Sequence, residues 1–145
     1  MKRNWSCLFS SKEIELRVDA NGAFSPADAL EKLHRLSEFQ LHSIEQPIRA
    51  GQWNEMARLC AATPFPIALD EELIGINRRD RKIELLETIR PQYIILKPSL
   101  HGGISGSEEW MELAAERGIG SWVTSALESN IGLNAIAQWC ATLQP

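Results

Sequence analysis

At 145 residues, 44% of them apolar, and with a net charge of −4, the chain is one globular domain or part of one, long enough to bury roughly 70% of its unfolded surface. Its charges are dispersed and no Lys/Arg stripe is interleaved with aromatics, which argues against a nucleic-acid partner. No apolar run reaches the ~18 residues of a membrane helix. The opening Met1-Lys2-Arg3-Asn4-Trp5-Ser6 lacks the long apolar stretch of a signal peptide, and three scattered cysteines, Cys7, Cys60 and Cys140, fit buried thiols in a reducing compartment. A cytoplasmic protein with no membrane contact is the expectation.

Residues 1–12 show no clear period and read as an irregular or frayed segment. From residue 13 the pattern alternates. Ile14, Leu16 and Val18 alternate with Glu15 and Arg17 as a first strand, and Ser25-Pro26-Ala27-Asp28 opens a helix with a capping serine, a proline at its first position and acid in its first turn. Leu30, Leu33 and Leu36 form that helix's apolar stripe. A second strand follows at 41–45 and a helix at 53–62, with Trp53, Met56 and Leu59 or Cys60 inward. Strands at 66–70 and 93–97 flank a helix at 79–89, with Pro91 breaking the chain before Tyr93. A helix at 107–117 with Gly118 at its C-cap, a strand at 120–124 and a helix at 130–143, packing through Ile131, Leu133 or Asn134, Ile136, Ala137 and Cys140, complete five βα units. The tryptophans fall at packing positions, His34 on a solvated helix face, His42 on a strand facing the helix layer, and His101 in a loop after Lys97.

Each of the first four strands ends on a charge: Asp19, Glu45, Asp70 and Lys97, spaced by 26, 25 and 27 residues. Parallel strands would carry all four to one rim of a sheet, where (β/α) folds place their chemistry. Three carboxylates in a small volume repel one another and push at least one pKa upward unless a cation joins them. Oxygen-only ligation selects a hard ion such as Mg²⁺, with Mn²⁺ as a substitute. A lysine beside that ion can move a proton or stabilise negative charge developing on a small carboxylate substrate.

The words around these charges, Leu16-Arg17-Val18-Asp19-Ala20-Asn21-Gly22, Ile44-Glu45-Gln46-Pro47, Ala68-Leu69-Asp70-Glu71 and Leu96-Lys97-Pro98 followed by Gly102-Gly103, resemble the third to sixth barrel strands of the muconate-cycloisomerase-like branch of the enolase superfamily. Within it, the run from Phe24 through Gly51-Gln52-Trp53 to Ile67-Ala68-Leu69-Asp70-Glu71-Glu72-Leu73-Ile74-Gly75 is most similar to the o-succinylbenzoate synthases of menaquinone biosynthesis. The resemblance implies an α/β fold, a partial TIM (β/α) barrel over 13–145. It implies Asp19, Glu45 and Asp70 as Mg²⁺ ligands and Lys97 as one of two opposed catalytic lysines. The implied reaction is loss of water from 2-succinyl-6-hydroxy-2,4-cyclohexadiene-1-carboxylate through a metal-stabilised enediolate. Ser125-Ala126-Leu127-Glu128-Ser129-Asn130 resembles the family's loop over the substrate, which makes Ser125, Glu128, Ser129 and Asn130, with Asn21 from the first word, candidate substrate contacts. Glu71, Glu72 and Glu128 read equally as partners of the ligands or as surface charge.

The resemblance begins at the family's third strand. The Lys-x-Lys motif of its second strand has no counterpart, because Lys2 and Lys12 lie too near Asp19 to sit one βα unit upstream when such units span ~30 residues. The chain therefore reads as the central and C-terminal part of such an enzyme, without turnover alone, its two open strand edges inviting self-association or pairing with a missing half. The alternatives are another superfamily racemase or epimerase, a non-catalytic barrel fragment, and a receiver-like signalling domain, which shares strand-end acids and a Lys-Pro pair.

Overall fold

A computed structural model describes residues 15–143. The expected irregular segment and the start of the first strand at Ile14 fall outside them. Strands β1 (Arg17–Asp19), β2 (Ser43–Glu45), β3 (Ile67–Leu69), β4 (Tyr93–Leu96) and β5 (Gly120–Val123) alternate with helices α1 (Pro26–Ser37), α2 (Trp53–Ala62), α3 (Arg79–Ile89), α4 (Gly103–Ala115) and α5 (Asn130–Cys140). All strand pairs are parallel, and their spatial order follows the chain, β1-β2-β3-β4-β5. Sequential order is that of a barrel wall. A receiver domain is doubly wound, with a reversal of strand order, so its topology is excluded.

Local chemistry explains most boundaries. The Asp28 amide donates to Ser25 Oγ at 3.3 Å at the start of α1, with Pro26 in the first helical position. Helices α1, α2 and α3 each turn one apolar stripe, Ala29 and Leu33, Met56 and Leu59, Leu85 and Leu86, onto the sheet, and these residues join Ile44, Ile67, Leu69, Ile94 and Trp110 in one core. Helix α4 starts four residues earlier than the sequence pattern predicts, at Gly103, because the chain after Lys97 turns tightly enough for the Gly103 amide to reach the Pro98 carbonyl at 2.8 Å. A Cβ at Gly106 would collide with the His101 carbonyl, so this close return of the helix requires glycine there. Helix α5 ends at Cys140, short of the predicted 143, and leaves Ile131 and Leu133 79% and 49% exposed rather than packed. Among the described residues nothing lies beyond β5 and α5 to cover that side.

The sheet curls. Arg17 of β1 places its guanidinium 4.2 Å from the Trp122 ring centroid of β5, although the two strands lie at opposite edges. Their side chains therefore meet across the concave face. His42 stands in the same group, 5.1 Å from the Tyr93 ring and 6.3 Å from Trp122. It precedes β2 and escapes the strand alternation that would have turned it toward the helices.

Candidate active site

The rim at the C-terminal ends of the strands gathers the four predicted charges. Asp19 and Glu45 are register partners on β1 and β2. Asp70 lies just after β3, two residues beyond the level of Glu45, and Lys97 just after β4, two beyond the level of Asp70. This stagger, absent between β1 and β2 and two residues at each of the next two steps, is the register shear of a barrel, and strand tilt brings such residues back toward one height. Lys97 Nζ forms an ion pair with Asp70 Oδ2 and stands 3.6 Å from Glu45 Oε1. Asp70 is buried, its side chain 3% exposed, while Glu45 and Lys97 are about one-fifth exposed at 21% and 18%.

The electrostatics follow from that crowding. Burial, contact with Asp70 and the nearby Asp19 charge push the Glu45 carboxyl up to about 7. Burial pulls the Lys97 ammonium down, but its bond to Asp70 and the charges of Asp70, Glu45 and Glu71 outweigh it and leave the pKa above that of an ordinary lysine. Glu71 is also raised, first by burial. Asp70 Oδ1 is buried with no hydrogen-bond partner. One ammonium therefore does not balance the carboxylates, and a second, oxygen-preferring cation fits this donor set. Among the described residues no three acidic, His or Cys side chains form a preset metal cage. Asp19 Oδ1 accepts the Asn21 amide of its own turn at 2.7 Å, and Lys97 sits between the other two acids. An ion held by Glu45 and Asp70 would take the place that the Lys97 ammonium occupies between them.

The remaining predicted residues divide. Asn21, at φ +46°, shapes the turn after β1 and is exposed. Glu128 spends both oxygens on protein, accepting from Ser99 Oγ at 2.6 Å and from the Ala126 amide at 2.9 Å, and these bonds hold its pKa below the ordinary value. It is thus a bracket between the loops after β4 and β5. Ser129 is the α5 N-cap without a side-chain capping bond, and Asn130 is the first residue of that helix; both are exposed, with Ser125 partly buried nearby. His101, expected in the loop after Lys97, lies there and is buried. Its Nδ1 accepts the Lys97 backbone amide at 3.0 Å, and burial pushes the imidazole down to about 4, so it stays neutral and steadies the lysine's backbone.

Two residues beside the acids carry more than their sequence words suggest. Gln46 and Glu72 are buried at the rim and joined by a 3.1 Å bond from Gln46 Nε2 to Glu72 Oε2. The 3-10 helix Glu71–Leu73 that presents Glu72 has no periodic signature in three residues. A glutamine directly after a strand-end acid was the available signal.

The sequence profile of the Enolase C-terminal domain-like family matches residues 9–145. The chain belongs to that family. It is 66% identical to an o-succinylbenzoate synthase of Desulfotalea psychrophila over 94% of its own length and 37% of the relative's. The crystal structure of MenC from Desulfotalea psychrophila LSv54 superposes with a TM-score of 0.92 at 64% identity, over 95% of this chain and 38% of that one. Muconate cycloisomerase from Pseudomonas fluorescens superposes with a TM-score of 0.81 at 30% identity, over 90% of this chain and 36% of that one. The chain thus spans less than two-fifths of this Desulfotalea psychrophila relative, and its five parallel strands form part of an enolase-superfamily TIM barrel. No described helix is long and apolar enough to cross a membrane.

Proposed function

We propose that this chain supplies the metal-binding carboxylates and one catalytic lysine of a dehydratase of the o-succinylbenzoate synthase type. The carrying observation is the Lys97 ammonium held between Glu45 and Asp70 on a rim where Asp19 stands level with Glu45; the high identity to the Desulfotalea psychrophila enzyme supports the substrate class. Asp19, Glu45 and Asp70 would hold Mg²⁺, with Mn²⁺ as a substitute, and that ion supplies positive charge to a substrate carboxylate so that the proton α to it is more easily removed. Lys97, cationic at neutral pH, stabilises the negative charge that develops on substrate as 2-succinyl-6-hydroxy-2,4-cyclohexadiene-1-carboxylate loses water. His101 holds the backbone of that lysine, and the Ser99–Glu128 bracket holds the loop bearing Ser125, Ser129 and Asn130 over the rim, where the free amides at the start of α5 suit a second carboxylate.

The other described lysines do not face Lys97. Lys32 lies over the Phe24 ring on α1, and Lys82 is buried between α3 and α4, bonded to the Gly106 carbonyl at 3.1 Å and to Glu109 at 2.7 Å. A proton-taking group opposite Lys97 would come from elsewhere, so the 145-residue chain by itself is expected to show no dehydratase turnover. The same reading makes β1 and β5 pairing edges, toward further barrel strands or a second copy. The test fuses this chain into the Desulfotalea psychrophila relative in place of the segment it matches, so that all eight barrel strands are present, and follows conversion to 2-succinylbenzoate by absorbance. Turnover by the fusion alone is expected. An inactive but folded fusion would overturn the dehydratase reading, and ordinary turnover by the isolated chain would overturn the need for a second half.

A further inference from the structure

Gln46 stands in the left-handed region at φ +36°, with 1% of its surface exposed. A side chain held in a strained backbone conformation and buried has surroundings that over-determine it. Those surroundings are the three acid-bearing loops. Its Oε1 accepts the Asp70 amide at 3.2 Å and the Glu72 amide at 3.3 Å, while Nε2 donates to the Ile48 carbonyl at 3.0 Å and to Glu72 Oε2 at 3.1 Å. Its backbone amide donates to the Ala68 carbonyl at 2.9 Å, and its own carbonyl accepts the Gly22 amide of the turn after Asp19 at 2.7 Å. Glu72 is fixed in turn, its Oε1 accepting the Gly51 amide at 2.7 Å.

One residue, next in sequence to Glu45, is therefore bonded to the loop of Asp19 and to the backbone of Asp70 itself. The carboxamide matches its site in kind: two N–H groups need one acceptor oxygen, and two acceptors need one NH₂ group. A glutamate would face the Ile48 carbonyl and the Glu72 carboxylate with an anion, and leucine would strand four buried polar groups. We propose that Gln46, latched by Glu72, is the positioning residue that sets the spacing of the Glu45 and Asp70 carboxylates and hence the divalent-cation affinity of the rim. This rests on the metal reading above.

Mn²⁺ binding to the full chain, read from the EPR signal of the free ion, and amide hydrogen exchange by NMR test it together. Gln46→Leu and Glu72→Gln are expected to weaken Mn²⁺ by roughly ten-fold or more, the range for residues that orient metal ligands, and to speed exchange at the Asp70 and Glu72 amides. Gln52→Ala, which removes only an exposed 2.9 Å bond to the Arg49 carbonyl, changes neither. A purely architectural role for Gln46 predicts a lower melting temperature with unchanged Mn²⁺ affinity, and that outcome overturns the proposal. If Gln46→Leu fails to fold, the milder Glu72→Gln decides. If the unsubstituted chain takes up no Mn²⁺, the metal reading fails. The latch is then judged by exchange alone, and unaltered protection at Asp70 and Glu72 in Glu72→Gln refutes it.

Discussion

The two halves of the rim are built differently. After β2 and β3 the loops are buried and cross-bonded: Gln46, Asp70, Glu72 and Leu73 are all under 5% exposed, and the backbone amides of Asp70 and Glu72 are spoken for. After β5 the chain is open. Leu127 is 96% exposed at φ +60°, Ile131 is 79% exposed, and the Glu128 bracket ties this loop to its neighbour. On the proposed function, the contrast fits a division of labour in which Glu45 and Asp70 are presented from cross-bonded loops, while the open half would be free to adapt to a substrate.

The largest expected effect removes the ammonium that pairs with the two acids of the rigid half. Lys97→Ala, in the barrel-complete fusion, is expected to lower the rate of dehydration at least ~10³-fold, since proton-handling and charge-stabilising groups contribute on that scale, with single-turnover absorbance as the measure. The same change should raise Mn²⁺ affinity, because the ammonium competes for Glu45 and Asp70. Next comes packing. Leu73→Ala, at a site with no exposed surface, should cost about 2–5 kcal/mol in urea unfolding, and a cost under ~1 kcal/mol would show that this half is not the stiff one.

A smaller effect probes the lysine's support. His101 has a folded pKa of about 4 against 6.5 for the free side chain. Below pH 6.5 the unfolded chain takes up a proton that the folded chain refuses, so the stability from this residue is whole above 6.5 and is lost as pH falls toward 4, on the order of 3 kcal/mol. His101→Asn, which keeps an acceptor near Nδ1, should flatten the fall in unfolding free energy across that window. An unchanged slope would assign the pH dependence to other groups. Smallest is the open half: Leu127→Gly should leave stability unchanged or raise it by ~1 kcal/mol, because glycine removes the left-handed penalty and no buried surface is lost. Destabilisation by that change would mean that the β5 loop is as tightly determined as the β2 loop.

The sequence made the strand-helix alternation and the four strand-end charges legible because these are local: period, caps and the charge closing each apolar run are written in consecutive residues. Helices 53–62 and 79–89 match the structure to the residue. Lys97 beside Glu45 and Asp70 was likewise readable from the near-constant spacing. Gln46, His101 and Glu128 were not, since their roles come from partners 26, 4 and 29 residues away that no periodic pattern marks. The outward face of Ile131 was missed for the related reason that an apolar residue on a helix reads as core until its neighbours are known.

What the amino-acid order determined by itself is the set of repeating units and the chemistry each carries to its end, because propensity, capping and alternation act over a few residues. What only the tertiary structure decided is which of these groups meet: the curl that sets Arg17 over Trp122, the stagger that brings Lys97 between two acids, and the carboxamide that ties three loops together. Coulomb energy and hydrogen bonding depend on distance through space, and that distance exists only once the sheet has bent.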